Sequence, residues 1–126
     1  MVIPVGGIKL DYPSIVHWIS KDARYRIIEI MLSTRSIRQL ARELCVSPTA
    51  INKYLSRKTH PSDQVISRAL SRLTEYERRR IYEVIIDDLI NALGKLVAVV
   101  KDYGDKHVIN YLKDRILEVI EELGYG

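Results

Sequence analysis

IRQLARELCVSPTAINKYL, residues Ile37 to Leu55, is the stretch that decides the architecture of this chain. Leu40, Ala41 and Leu44 fall on one face of a short helix, and Ser36 stands where its N-cap belongs. Ser47 followed by Pro48 opens a second helix, with an oxygen acceptor at the N-cap and a ring that fits the first helical turn. Only Cys45 and Val46 separate the first helix from that cap, so the connection is a tight turn and the helices must cross. Crossing helices need a small residue at the contact, which Ala41 supplies. They also need apolar side chains in the wedge, and Leu40, Leu44, Val46, Ile51 and Leu55 are expected there. The second helix should end near Ser56, leaving Ser47, Thr49, Asn52, Lys53 and Ser56 as its polar face.

Outward from this pair the punctuation stays helical. Ser20 caps a helix to about Leu32, with Ala23, Ile27, Ile28, Ile30 and Met31 inward. Pro61 and Ser62 start another, to about Leu73, with Val65, Ile66, Ala69, Leu70 and Leu73 inward. Thr74 with Glu77 forms a capping box at the head of a long run without proline. In that run Tyr82, Ile86, Leu89, Leu93, Leu96, Val100 and Tyr103 alternate spacings of four and three, a heptad seam. The phase continues past Gly94, so a single helix is expected. Gly104 is a stop and Asp105 a new N-cap. The final helix carries Ile109, Leu112, Ile116, Val119 and Leu123 before Gly124 ends it, and the short link implies an antiparallel hairpin. Residues 1 to 19 are less regular. Val2, Ile3, Val5, Ile8 and Leu10 around Gly6 and Gly7 are compatible with an extended arm or a short strand pair. Ser14 to Ile19 is compatible with one or two helical turns that bury Trp18. The fold class is all-α: residues 1–73 as an arm plus a compact domain, residues 74–126 as a helical hairpin.

The net charge of +4 hides an asymmetry. Residues 1–73 carry 12 basic and 5 acidic side chains, whereas residues 74–126 carry 8 and 11. A basic half points to a polyanion, and a mildly acidic half to a different task. The single Cys45 excludes an internal disulfide and a cysteine zinc site. Cys45, His17, His60 and His107 lack metal-ligand spacing, so no metal or cofactor is expected. No apolar run is long enough for a membrane helix, and MVIPVGGIKL lacks the layout of a secretory signal, so a cytosolic protein is expected. Abundant Ile, few Gln and the absence of Phe hint at a thermophilic source. No phosphate loop, nucleophile elbow or acid/base cluster points to an enzyme. Arg78, Arg79 and Arg80 are read as partners of Glu75 and Glu77 on a solvated turn, and Asp87–Asp88 and Glu121–Glu122 as solvated faces.

A basic domain whose second short helix exposes a polar face suits the major groove of double-stranded DNA. Thr49, Asn52, Lys53 and Ser56 are the expected base contacts, since Asn can bond adenine bidentately and Lys can donate to guanine acceptors. Ser47, Arg38, Arg57, Lys58 and Thr59, with His60, are expected at phosphates, which position the domain without reading sequence. Arg35 and Arg42 are secondary candidates on the helix exterior.

LARELCVSPTAINKYLSRKTHPSDQVISRAL, Leu40 to Leu70, resembles the lambda-repressor/Cro-like helix-turn-helix proteins, and the resemblance extends over roughly residues 24 to 73. It rests on the LA-x-x-L-x-V-S core, the basic loop, Pro61–Ser62 and Ala69–Leu70. It implies a four- or five-helix DNA-binding domain that works as a dimer on a palindromic site. One position departs. Cys45 stands where the family has Gly, and a left-handed backbone there costs a non-Gly residue about 1 kcal/mol.

These readings combine into a sequence-specific DNA-binding protein, most simply a transcriptional regulator. It would be a homodimer through Ile86, Leu89, Leu93, Leu96, Val100, Ile109, Leu112, Ile116, Val119 and Leu123. Ile81, Ile85, Ile90, Val97 and Val99 on the first hairpin helix, and Val108, Leu117 and Ile120 on the second, widen each apolar stripe toward bundle width. The rival readings are a protein-interaction module, such as an antitoxin or adaptor, and an accessory factor in partition, replication or recombination.

Overall fold

The computed structural model describes residues 12–124. Seven helices stand among them: α1 (Tyr12–Val16), α2 (Lys21–Leu32), α3 (Ile37–Leu44), α4 (Pro48–Leu55), α5 (Asp63–Leu70), α6 (Glu75–Tyr103) and α7 (Lys106–Glu121). No strand occurs among the described residues. The arm of residues 2–10, with its alternative of a strand pair, lies outside them.

The caps fall where the short polar residues invite them. Ser20, Ser36, Ser47 and Ser62 each take extended backbone and accept from the N–H three residues on. Thr74 and Glu77 close the reciprocal capping box, with N–H to oxygen distances of 3.0 and 3.2 Å. Asp105 caps α7, and Gly104 before it has φ 76°. Helix α6 runs unbroken through Gly94.

The chain divides into two compact units, residues 1–89 and 90–126. The boundary expected after residue 73 therefore falls later, and burial gives the reason. Glu77, Ile81, Val84 and Ile85, all on α6, lie in the interior of the first unit. Ile81 and Ile85 had been expected to widen the hairpin stripe. They belong instead to a core built with Ile27, Ile28, Met31, Leu40, Leu44, Ile51, Ile66 and Leu70. Leu89, expected at a dimer seam, packs against that same core.

Two arginines with enclosed side chains organise the first unit, and neither is visible as a pattern in the sequence. Arg24 on α2 is 5 % exposed. It donates to the carbonyls of Val16, Ile19 and Pro61, and it lies 2.7 Å from the Asp63 carboxylate. One guanidinium thus ties the end of α1 and the start of α5 to α2. The Asp63 carboxyl is held below the usual range, first by its hydrogen bond from Arg24. Arg35, expected on the helix exterior, is half-buried with its side chain 7 % exposed, and it is ion-paired with Glu43 and Glu77.

Trp18 was expected inside and is 69 % exposed; Val16 and Ile19 take the interior positions of that turn. Its ring meets His17 edge-on, with centroids 5.3 Å apart. Asp88, expected on a solvated face, accepts from the backbone N–H and the hydroxyl of Ser20, tying α6 to the cap of α2.

In the second unit the rest of α6 joins α7 through Gly104 and Asp105, as the hairpin reading expected. None of α7 is buried. Leu93, Val100, Ile109, Leu112 and Ile116 are half-buried. Leu96, Val119 and Leu123 are exposed, the last at 85 %.

Candidate nucleic-acid interface

Helices α3 and α4 pack directly on each other. Ala41, expected at the crossing, is 2 % exposed, Leu40, Leu44 and Ile51 are fully buried, and Val46 and Ala50 lie at the margin of the core. The wedge differs from expectation at its far end. Leu55 is 39 % exposed, and Tyr54 fills the interior position, 7 % exposed. Burial pushes the Tyr54 hydroxyl above its usual pKa. The 3.6-residue period puts Ile51 and Tyr54 on the inner face, and the spacing from Ile51 to Leu55 fits almost as well. Sequence alone did not separate the two.

Both turns bounding α4 use the same device. Cys45 has φ 58° and ψ 43°, the left-handed conformation expected of that position. Its N–H donates to Arg42 O, and the next N–H, of Val46, donates to Ala41 O. This is a Schellman closure, which satisfies carbonyls that a helix end leaves unpaired. Arg68 on α5 adds a hydrogen bond of 3.1 Å to Leu44 O. At the other end Arg57 has φ 60°. There Arg57 N donates to Tyr54 O and Lys58 N to Lys53 O, the same pattern. The sequence carried no signal for this second left-handed residue, because neither Gly nor Asn stands there.

Helix α4 is therefore fixed at both ends, and its outer face is open. Thr49, Asn52, Lys53 and Ser56 are all exposed. Their spacing of three, one and three gathers them on one side of the helix. The Ser56 hydroxyl donates to Lys53 O at 3.3 Å, and the Ser47 hydroxyl accepts from Ala50 N at 3.0 Å. Ser47 sits at the positive end of the α4 dipole, a place suited to an anion. Arg38 and Arg42 on α3 are exposed, as are Lys58, Thr59 and His60. Arg57 differs. Its guanidinium lies 4.7 Å from the centre of the Tyr25 ring, 3.6 Å from Glu29 and 3.9 Å from Asp22, all on α2.

Arg35 is withdrawn from this surface. It bonds Glu77, with one contact at 3.1 Å, along with Glu43 at 3.0 Å and the carbonyls of Met31 and Arg72. Burial alone would raise the Glu77 carboxyl. Hydrogen bonds from Arg35, the Thr74 N–H and the Thr34 hydroxyl outweigh it and bring the pKa to about 2. Of the two acids expected to pair with the arginine run, Glu75 does so, 2.6 Å from Arg78, and Glu77 faces Arg35 instead. Among the described residues no group of three His, Cys, Asp or Glu is placed to hold a metal ion.

A capped helix, a left-handed tight turn and a crossing helix with an open polar face define the local structure. Residues 30–78 match the helix-turn-helix family, of the lambda-repressor/Cro-like kind. The geometry of α3, the turn at Cys45 and α4 is that of a helix-turn-helix. The family is one of DNA-binding domains, which agrees with the polar face of α4 and the basic charge of residues 1–73. The match begins within α2 and ends just past Glu77. It takes in every polar side chain expected at DNA, together with the Arg35–Glu77 pair. No curated protein matches the chain. No solved structure matches it either. No helix among the described residues is long and apolar enough to cross a membrane.

Proposed function

We propose that this protein binds double-stranded DNA sequence-specifically, as a homodimeric regulator of transcription. The observation that carries the reading is the outer face of α4. Thr49, Asn52, Lys53 and Ser56 stand exposed on a helix whose two ends are locked by left-handed turns. Asn52 and Lys53 are the main base-reading side chains. Thr49 and Ser56 flank them, while Ser47, Arg38, Lys58 and Thr59 supply phosphate contacts. Arg57 is assigned a separate role below.

The second unit supports the dimer. A folded helix with no buried residue, with Leu117, Val119 and Ile120 all more than half exposed and Leu123 just beyond its end at 85 %, loses the stabilisation that normally holds an amphipathic helix in place. A second copy of the same hairpin would cover it by two-fold symmetry and set two heads for half-sites about one helical turn of DNA apart. The same apolar surface would suit a different protein chain, the alternative of an adaptor or antitoxin.

The deciding experiment is selection of bound duplexes from a random-sequence pool, with light scattering on the same protein. Enrichment of an inverted repeat by a dimer supports the proposal. Uniform binding of all duplexes would reduce the domain to a non-specific binder. A monomer that captures no duplex would favour the adaptor reading.

A further inference from the structure

Arg57 follows the recognition helix directly and carries the charge expected of a phosphate contact, yet its half-exposed guanidinium is engaged by three side chains of α2. Asp22, Tyr25 and Glu29 recur on α2 at spacings of three and four, so one face of that helix presents a carboxylate, a ring and a second carboxylate in line. The Arg57 guanidinium lies over the ring, 4.7 Å from its centre, with the carboxylates 3.9 and 3.6 Å away. The Tyr25 ring is itself 8 % exposed, so the platform is fixed in the domain core. A flat guanidinium over an aromatic face is the arrangement that Arg, and not Lys, makes best.

We propose that Arg57 is a positioning residue for DNA recognition: seated on Tyr25 between Asp22 and Glu29, it holds the C-terminal end of α4 and the loop Lys58–His60 against α2, and it does not contact DNA. The backbone supports this role. Residue 57 is the left-handed member of the closure that ends α4, and Lys58 N reaches back to Lys53 O at 2.9 Å. Anchoring the side chain of the turning residue fixes where the helix stops and where the following basic loop begins. The outward side chains of Lys53 and Lys58 then keep a set spacing. Groups displaced by an ångström lose much of the bonding that geometry gave them.

The inference rests on the DNA-binding reading and makes a prediction that separates tie from contact. A phosphate contact releases a counterion, so removing it lowers the slope of log Kd against log salt by about one. A tie releases none. The probe is the tightest duplex from the random-sequence selection, measured across a salt series against a scrambled duplex. Arg57→Ala should weaken the selected duplex about five- to tenfold, the range of one cation–π contact plus weak ion pairs. It should leave the salt slope at the wild-type value, whereas Lys58→Ala lowers it. Tyr25→Leu should reproduce the loss, Tyr25→Phe should not, and the double variant Tyr25→Leu/Arg57→Ala should be no worse than either single variant. If Tyr25→Leu fails to fold, Asp22→Asn with Glu29→Gln tests the same tie from its charged side. A salt slope lowered by Arg57→Ala, or independent losses at positions 25 and 57, overturns the proposal and restores Arg57 to the phosphate contacts. A wild-type protein that binds no duplex overturns the DNA reading and this role with it. The coupling of positions 25 and 57 in urea stability would survive that outcome, so the two failures are distinguishable.

Discussion

Glu77, in the first turn of α6, is fully buried against Arg35, which lies between α2 and α3. The carboxylate accepts from Arg35, from the Thr34 hydroxyl and from the Thr74 N–H, so it is both the cap of α6 and the partner of the head's buried cation. Its pKa of about 2, below the ordinary 4.5, makes the pair a stability element with a definite pH window. A depressed folded pKa means that the unfolded chain binds the proton more readily. The contribution is therefore complete above about pH 5 and is lost as pH falls toward the folded pKa. A shift of this size corresponds to stability on the order of 3 kcal/mol. Urea unfolding of wild type and Glu77→Gln at several pH values should give curves well separated at pH 7 that converge near the folded pKa. A constant gap would show that the charge on Glu77 contributes nothing.

Arg35→Ala should be more damaging than an exterior arginine change. Removing one member of a buried pair leaves an uncompensated charge, at a cost of about 3–5 kcal/mol. Arg38→Ala and Arg42→Ala, both at exposed positions, should stay within about 0.5 kcal/mol of wild type. Thermal unfolding of the three variants checks this ordering, and equal midpoints would remove Arg35 from the structural core.

The proposed base reading by α4 has its own signature. Asn52→Ala and Lys53→Ala should each weaken the selected duplex by about 1–3 kcal/mol and relax preference at one base pair. Fluorescence anisotropy on the selected duplex and its single-base variants measures both effects. An equal loss on every sequence would demote these side chains to phosphate contacts.

The turn at Cys45 offers a test of strain. With φ 58° and an exposed side chain, Cys45 occupies a glycine conformation without burying its thiol. Cys45→Gly removes about 1 kcal/mol of left-handed cost and adds a similar entropy to the unfolded chain. The expected outcome is an unchanged or slightly higher melting temperature, and a fall of several degrees would contradict it.

Local signals made residues 20–70 largely legible. Ser–x–x–x caps, the Ser47–Pro48 start, the Gly-like turn at Cys45 and the burial of Ala41 are each decided within a few residues, and each stands in the structure. What sequence did not reveal was decided by partners distant along the chain. Arg24 and Arg35 look like surface cations until Pro61 O, Glu43 and Glu77 are brought beside them. The start of α6 likewise reads as hairpin because its heptad phase runs on, while the head takes up a second face of the same helix at Ile81, Val84 and Ile85. At the interface, the exposed face of α4 follows from periodicity. The seat of Arg57 on Tyr25 joins two helices and left no trace in either.

That second face of α6 sets where the assembly can be tested by truncation. A chain cut after Leu73 loses Glu77, Ile81 and Val84, all buried, and leaves Arg35 without its main partner. Deleting several large interior side chains together costs more than the stability of a small domain, given about 2–5 kcal/mol for each. Such a chain should be unfolded, and its failure to dimerise would say nothing about the hairpin. A chain cut after Leu89 keeps the whole first unit. It should fold with cooperative melting and run as a monomer, having lost the exposed apolar residues from Ile90 to Leu123. Its binding to the selected inverted repeat should fall by about two to four orders of magnitude, because the second head is no longer held near its half-site. Binding to a single half-site should match that of the full chain. Light scattering and anisotropy on the full chain and the Leu89 truncation read these outcomes. A full chain that is monomeric well above its DNA-binding concentration would sink the homodimer and leave the hairpin to a different partner.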